Sequence, residues 1–466
     1  MKPAKKVDLS QTSPTVAEVD PLTVLHRDAA GMDIDSASVW VSVPADRDAE
    51  PVRQFGMSTP DLIAMAEWLK ACGIKTLAME STGVYWIPPY EILEERGFKV
   101  YLVNARHAKN VPGRKKDETD AQWLRRLHTF GLLNNSFRPT GEICAMRAYR
   151  RHRAMLIEHR AAHIQHMQKA LRQMNVLLSP TVKDITGETG MAIIRAILAG
   201  ERDPVKLAQL RDPRCAKPES EFVKALTGNY REEHVFALKQ AVALYDAYTE
   251  QIRECDREIE RKFSTLKPIH NDTLPPLDTT DKRNTHSKNA PTYDARSQLY
   301  QLLGVDLVAI TGLNASTVED ILFEIGTDMS CWPSDKHLCS WLHLAPHNDI
   351  SGGKVLRSHI LKGPNRAGQA FRLAAQAVSR TDTALGAYFR RMRAKHGPQK
   401  AIVATAHKIA RIFYFMLKHR KPFHDIGAEE YGKHEREREV ARLQKKATKL
   451  GFTLVQSTAQ PTQVSE

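Results

Sequence analysis

Nowhere in this 466-residue chain does an uninterrupted apolar run approach the roughly 20 residues needed to span a bilayer, which argues against a membrane-spanning helix. The first twenty residues, MKPAKKVDLSQTSPTVAEVD, carry early lysines with no apolar core behind them. They read as a disordered lead-in (1–27) rather than a secretory leader. The six cysteines sit singly, at positions 72, 144, 215, 255, 331 and 339, and none forms a C-x-x-C pair. A zinc site of that type and a disulfide framework are therefore not expected. Single cysteines fit a reducing, cytoplasmic setting. Cys331 and Cys339 read as core residues.

What the chain has in excess is positive charge. Lys and Arg number 68 against 54 acidic residues, a formal net charge of +14. A phosphate-rich partner follows naturally, because each neutralised phosphate releases counterions. At this length two to four domains are expected, each able to bury a core.

The ordered chain begins near Gly31. Val39, Val41 and Val43 alternate with Trp40 and Ser42, a strand pattern, and VRQFGM from Val52 supplies an antiparallel neighbour. A helix follows, with Thr59 as cap, Pro60 in its first turn and Gly73 closing it. KTLAME (75–80) is a short buried strand, PYEILEERG (89–97) a short helix and FKVYLV (98–103) another strand. The expected order is β-β-α-β-α-β, then helices from about 117, which is the general plan of an RNase H-like fold.

Two long helices come next. In 142–176, Met155, Ala162 and Met167 mark an apolar stripe among Arg, His and Lys. In 232–264, Val235, Leu238, Val242, Tyr245, Tyr248 and Ile252 recur every three or four residues, as in a coiled coil. Either a self-packed helical hairpin or an arm for oligomerisation satisfies this pattern. Residues 266–296 hold four prolines and no apolar period, so they read as a flexible linker. A mainly helical domain spans 297–420, and 421–466 is a charged, partly disordered tail. From Arg411 to Lys421 the pattern mixes core aromatics with a basic face.

Four acids stand out. Asp33 lies in GMDID at the start of the first strand, Glu80 ends TLAME, and Asp117 and Asp120 share one face at the entry of a helix. Strand ends and helix starts lie on the rim of a sheet, where ligands gather. Phosphoryl transfer uses such residues, because divalent magnesium takes a few carboxylates plus water and substrate phosphate. Taken singly, Asp33 has a rival in Asp35, and Asp117 and Asp120 are also what a helix dipole favours at its N-terminus.

Taken together, GMDID, AMESTGVYW and VNARHAKNVPGRKKDETDAQWL resemble the N-terminal domain of the DEDD transposases of the IS110 insertion-sequence family. The resemblance covers about residues 28–175 and resumes at about 300–390. It implies a RuvC-like catalytic domain (28–141) whose four acids are Asp33, Glu80, Asp117 and Asp120. They would hold Mg2+ or Mn2+. It also implies a helical coiled-coil region (142–265) and a C-terminal transposase domain. In that domain VDLVAITGLNASTVEDILFEIG has a helix–turn–helix rhythm with Gly312 at the turn. The family usually reads Pro-Gly-Ile-Gly there, whereas this chain has Thr311, Gly312, Leu313 and Asn314.

The second signature is W-L-x-L-x-P, then S-G-G-K, then K-G-x-x-R, met here from Trp341 to Arg366. It makes Ser351 the implied nucleophile, with Ser358 and Ser340 as nearby competitors. Glycines beside a serine leave its hydroxyl accessible and let backbone N–H groups approach a phosphate. Lys354, Arg357, Lys362 and Arg366 would hold phosphate or stabilise charge. By residues alone, SGGK reads as a flexible surface loop that binds phosphate. The resemblance further implies donor and target DNA as partners, a structured guide (bridge) RNA, and a homo-oligomer from dimer to tetramer. Two readings compete: a RuvC-like, metal-dependent, structure-specific nuclease that activates water and does not need Ser351, and a non-enzymatic nucleic-acid scaffold.

Overall fold

AAGMDI, at 29–34, has none of the alternation that marks a half-exposed strand, because both of its faces are covered. In the computed structural model it forms β1 (Ala29–Ile34), buried at all but one position. The structure describes residues 23–81, 83–104, 119–139, 141–269, 274, 288–361, 363 and 365–455. A turn at Asp35, whose N–H donates to the Ser38 carbonyl at 2.9 Å, leads into β2 (Ser38–Ser42). The sequence reading merged these two strands; the order is β-β-β-α-β-α-β. Asp33 accordingly sits near the end of β1, not at the start of a first strand.

β3 (Val52–Gly56) pairs antiparallel with β2, and β4 (Thr76–Glu80) and β5 (Lys99–Val103) extend the sheet in parallel on the other side of β1. The result is a five-stranded mixed sheet of order β3-β2-β1-β4-β5. Helix α1 (Thr59–Ala71) is capped by Ser58 rather than Thr59, and its Leu62, Met65 and Leu69 pack on Met32, Val41, Leu77 and Met79. α2 (Ile87–Glu95) adds Leu93 to the same face. On the opposite face, α3 (Asp120–Thr129) sets Trp123, Leu124 and Leu127 against Ala78 and Val103.

This mixed α/β unit ends at Arg138, and a second, mostly helical unit follows from Pro139. α4 (Gly141–Gln173) and α9 (Glu232–Phe263) run antiparallel along one another. At their far end α5 (Leu178–Thr181), α6 (Glu188–Leu198), α7 (Pro204–Gln209) and α8 (Glu219–Leu226) gather around Ile193, Ile194, Phe222 and Leu226. The expected α9 stripe faces inward, with Leu238, Val242 and Ile252 buried. The α4 stripe does not follow expectation. Met155 and Ala162 are exposed, while Arg150, Arg153 and Arg160 join Leu156 and Met167 on the buried face.

Each of these arginines has a built partner. Arg153 donates to Asp256 of α9 from Nε at 2.5 Å and Nη2 at 3.2 Å, both residues being buried. Arg160 donates to Asn289 Oδ1 at 2.8 Å. Arg150 reaches Asp320 and Glu319, and Tyr293 donates its hydroxyl to Glu319 at 2.6 Å. Burial pushes the Glu319 carboxyl up to about 7, against the opposing pull of Arg150 and the Tyr293 hydrogen bond. These bonds also correct the linker. Residues 270–273 and 275–287 lie outside the described residues, but from Lys288 onward the chain is docked. Carbonyls of Asn289 and Ala290 accept from Arg153, and the Thr292 N–H donates to Asp256.

The C-terminal part begins with α10 (Ala295–Leu303) and continues through α11 (Ala315–Ile325), α12 (Asp335–Trp341), α13 (Arg366–Ala377), α14 (Ala384–His396), α15 (Pro398–His419) and α16 (Gly427–Lys449). The expected helix–turn–helix is a single 3-10 turn at Leu307–Ala309 before α11. Gly312, at φ 93°, lets that turn lie against α13, where a Cβ would come within 2.7 Å of the Ala374 carbonyl. Phe413 and Tyr414 are core residues of α15, as the mixed pattern suggested, and Cys339 is buried. Cys331 is exposed, contrary to expectation. In the tail, α16 anchors through buried Tyr431, while 456–466 lie outside the described residues. Among the described residues no helix is long and apolar enough to cross a membrane.

Candidate functional site

β1 and β4 are parallel neighbours, with Met32 opposite Met79. One step further along the same register sets Asp33 beside Glu80, on strands that pack about 4.8 Å apart. Both methionines point into the α1 core, so alternation turns both half-buried acids to the α3 side. α3 crosses that side closely. A Cβ on Gly31 would fall 2.2 Å from the Ala121 carbonyl and the Arg125 nitrogen.

The direction of α3 is fixed at its other end. His128 meets Thr76, at the start of β4, with 2.9 Å between Nε2 and Oγ1, and the Thr129 carbonyl accepts from Leu25 and His26 before β1. α3 therefore runs opposite to β1 and β4. Its first residue, Asp120, lies over the same carboxyl edge of the sheet as Asp33 and Glu80. Thr119 caps the helix, and Gln122 completes a reciprocal capping box. Three of the four expected acids thus share one edge and one face. Asp117 lies outside the described residues. Among the described residues, no three His, Cys, Asp or Glu side chains form a closed metal-ligand group. The donor set is all carboxylate oxygen, the type that hard divalent cations prefer.

The segment around Ser351 is not a flexible loop. It is a β-hairpin of β6 (Pro346–Ser351) and β7 (Lys354–Ile360), joined by Gly352 and Gly353 alone. Both glycines have positive φ, 53° and 75°, the conformation that a two-residue hairpin turn requires. Ser351 is the last residue of β6, exposed, and directly opposite Lys354; Asp349 is opposite Arg357. The register shifts between Asp349 and Ile350, leaving Leu356 as the extra residue of a bulge, which increases local twist. Nearer the base, His347 and His359 meet edge to face at 5.2 Å. Sequence reasoning missed this hairpin, although a Gly-Gly pair between two alternating runs is a signal for one. Ser340 is exposed on α12, and Ser358 lies on β7 opposite Asn348.

Of the expected phosphate-binding cations, Lys354 and Arg357 lie exposed on β7 beside Ser351. Arg366 is the first residue of α13, exposed, next to the Asn365 cap. Lys362 lies outside the described residues.

Two family models match the chain. One, described as a transposase, matches residues 30–176, and the other, described as the transposase IS116/IS110/IS902 family, matches residues 306–390. The first covers the carboxylate edge and all of α4; the second covers the hairpin, all of α13 and the first half of α14. No curated protein matches the chain.

Proposed function

Because the chain belongs to the IS116/IS110/IS902 family of DEDD transposases, and so is an insertion-sequence enzyme acting on DNA, we propose that it cuts and rejoins DNA through a covalent ester at Ser351. The observation that carries this reading is the presentation of Ser351 at the tip of a two-glycine hairpin, exposed and flanked by Lys354 and Arg357. In the proposed step, Ser351 Oγ bonds to the scissile phosphorus and the bond from phosphorus to O3′ breaks. The serine hydroxyl gives up its proton and the departing 3′ oxygen gains one. The ester keeps the phosphodiester bond energy, so rejoining needs no nucleoside triphosphate. Lys354 and Arg357 hold the scissile phosphate and offset the charge that builds on it, while Lys362 and Arg366 bind nucleic-acid phosphate.

Asp33, Glu80, Asp117 and Asp120 are the residues that would hold divalent metal, in a unit of RuvC-like type. The described three offer hard oxygen donors on one sheet edge, which fits Mg2+ or Mn2+. When bound, such ions stabilise attacking and leaving oxygens of a phosphoryl transfer. We further propose that Ser351 of a neighbouring subunit reaches the phosphate held at this edge, in a dimer-to-tetramer assembly built through the α4–α9 arm. A structured guide RNA selects donor and target DNA. The basic charge of the chain supports a nucleic-acid partner of either kind.

The test compares strand cleavage by Ser351→Ala and by Asp33→Asn in magnesium, on donor DNA supplied with the element's own RNA. Both variants should lose cleavage by at least about a thousandfold, the scale at which loss of a nucleophile is felt. Full cleavage by Ser351→Ala with none by Asp33→Asn would make water the nucleophile and the chain a structure-specific nuclease.

A further inference from the structure

A cavity of about 210 Å³ opens between α4, α11 and α13 in the C-terminal unit. It is smaller than the roughly 300 Å³ at which pockets for drug-sized molecules begin, and far too narrow for a duplex. Four arginines line it against two carboxylates. Both carboxylates are already committed. Asp320 accepts from Arg150 at 2.6 Å, and Glu324 takes Arg151 in a two-pronged pair at 2.7 and 2.6 Å. The remaining two guanidiniums have no carboxylate partner among the described residues. Among the described residues Arg147 donates a hydrogen bond only to the Cys144 sulfur, and Arg366 is the first residue of α13.

The rest of the wall is chemically different. Ala154 and Leu373 line the cavity, Leu373 being 55% exposed, which is unusual for a leucine on a helix that otherwise buries its apolar face. Gln369, one turn from Arg366, contributes an amide with both donors and an acceptor. Two uncommitted guanidiniums, a small apolar wall and one amide suit a ligand with an anion, a flat apolar face and a polar edge.

We propose that this cavity holds one unpaired nucleotide of the nucleic-acid partner, its phosphate on Arg147 and Arg366 and its base against Ala154, Leu373 and Gln369. The proposal rests on the chain acting on nucleic acid and does not involve Ser351 or the carboxylate edge. Single strands are recognised in this way, with guanidiniums on the backbone and splayed bases against side chains.

The experiment is equilibrium binding of the full chain to a labelled single-stranded oligonucleotide, DNA in one arm and RNA of the same sequence in the other, across a salt series. Arg147→Gln with Arg366→Gln should weaken binding at least tenfold in one arm or both. It should also flatten the salt slope by about 0.7, the value for one phosphate contact on a single strand. Leu373→Ala should weaken binding severalfold and leave the slope unchanged. Arg438→Gln with Arg442→Gln, an equal charge loss on α16, should have little effect. In the unaltered chain, light-activated iodouracil in the DNA or thiouracil in the RNA should crosslink to peptides holding Ala154 or Gln369 and Leu373. Binding by the cavity variant that matches the α16 control in both arms, or crosslinks that avoid these peptides, would overturn the proposal. Because the readout is binding, it is independent of whether Ser351 forms an ester.

Discussion

Gly31 shows how much one missing side chain does here. Its neighbours on α3 are backbone atoms that cannot swing aside, 2.2 Å from where a Cβ would sit. Gly31→Ala should cost on the order of 1–3 kcal/mol, as overpacking does, and lift Asp120 away from Asp33 and Glu80. A lower urea midpoint for the N-terminal unit, with metal-dependent cleavage reduced further than stability alone explains, is the expected result. His128 is a second such residue. Burial, with His26 and Lys99 nearby, holds its imidazole down to about 4 from 6.5, and it is 1% exposed. The unfolded chain therefore binds the extra proton first as pH falls. The stability this neutral histidine contributes is complete above about pH 6.5 and is lost towards pH 4, on the order of 3 kcal/mol in all. Melting temperature followed from pH 7 to 4 should fall more steeply for the native chain than for His128→Gln. At this scale the sequence marks residues without showing their surroundings. Asp33, Glu80 and Asp120 were singled out from three separated blocks, but nothing local to Gly31 says that a helix crosses it.

Elements were legible where periodicity is a one-sided matter. α1 and α9 each show one face to a core and one to water, and each lies close to where its pattern placed it; β4 and β5, which feed the cores on both sheet faces, were read from short apolar runs instead. β1 was merged with β2 because it is covered on both faces, so it has no alternation to read. α4 misled for the opposite reason. Its buried stripe contains arginines, which pattern reading assigns to solvent, and only the partners on α9, α11 and the 288–294 segment reveal why they are inside. Arg153→Ala should destabilise the C-terminal unit by about 3–5 kcal/mol, because it strands a fully buried carboxylate at Asp256. Replacing both members, Arg153→Met with Asp256→Leu, should restore most of that loss in a urea titration. The β6–β7 hairpin makes its own prediction. Lys354→Gln with Arg357→Gln should weaken duplex binding and flatten the dependence of log K on log salt by about 0.9, the value for the one phosphate they share. An unchanged slope would remove both cations from the phosphate path.

For the whole molecule, charge and two signatures in a set order pointed to a nucleic-acid enzyme before any fold was known. The parts proposed to be catalytic are divided between the two units, carboxylates in one and Ser351 in the other. Sequence spacing says nothing of how such parts meet, because the α4–α9 arm, its four-helix tip and the 288–294 segment lie between them. The account therefore stands on whether the serine is chemically used. The direct measurement is to quench a reaction of the full chain with donor DNA, RNA and magnesium under denaturing conditions, digest it, and read the DNA-bearing peptide by mass spectrometry. The account predicts a phosphodiester on Ser351, absent from Asp33→Ala and Glu80→Ala. Cleaved DNA with no protein attached would contradict it.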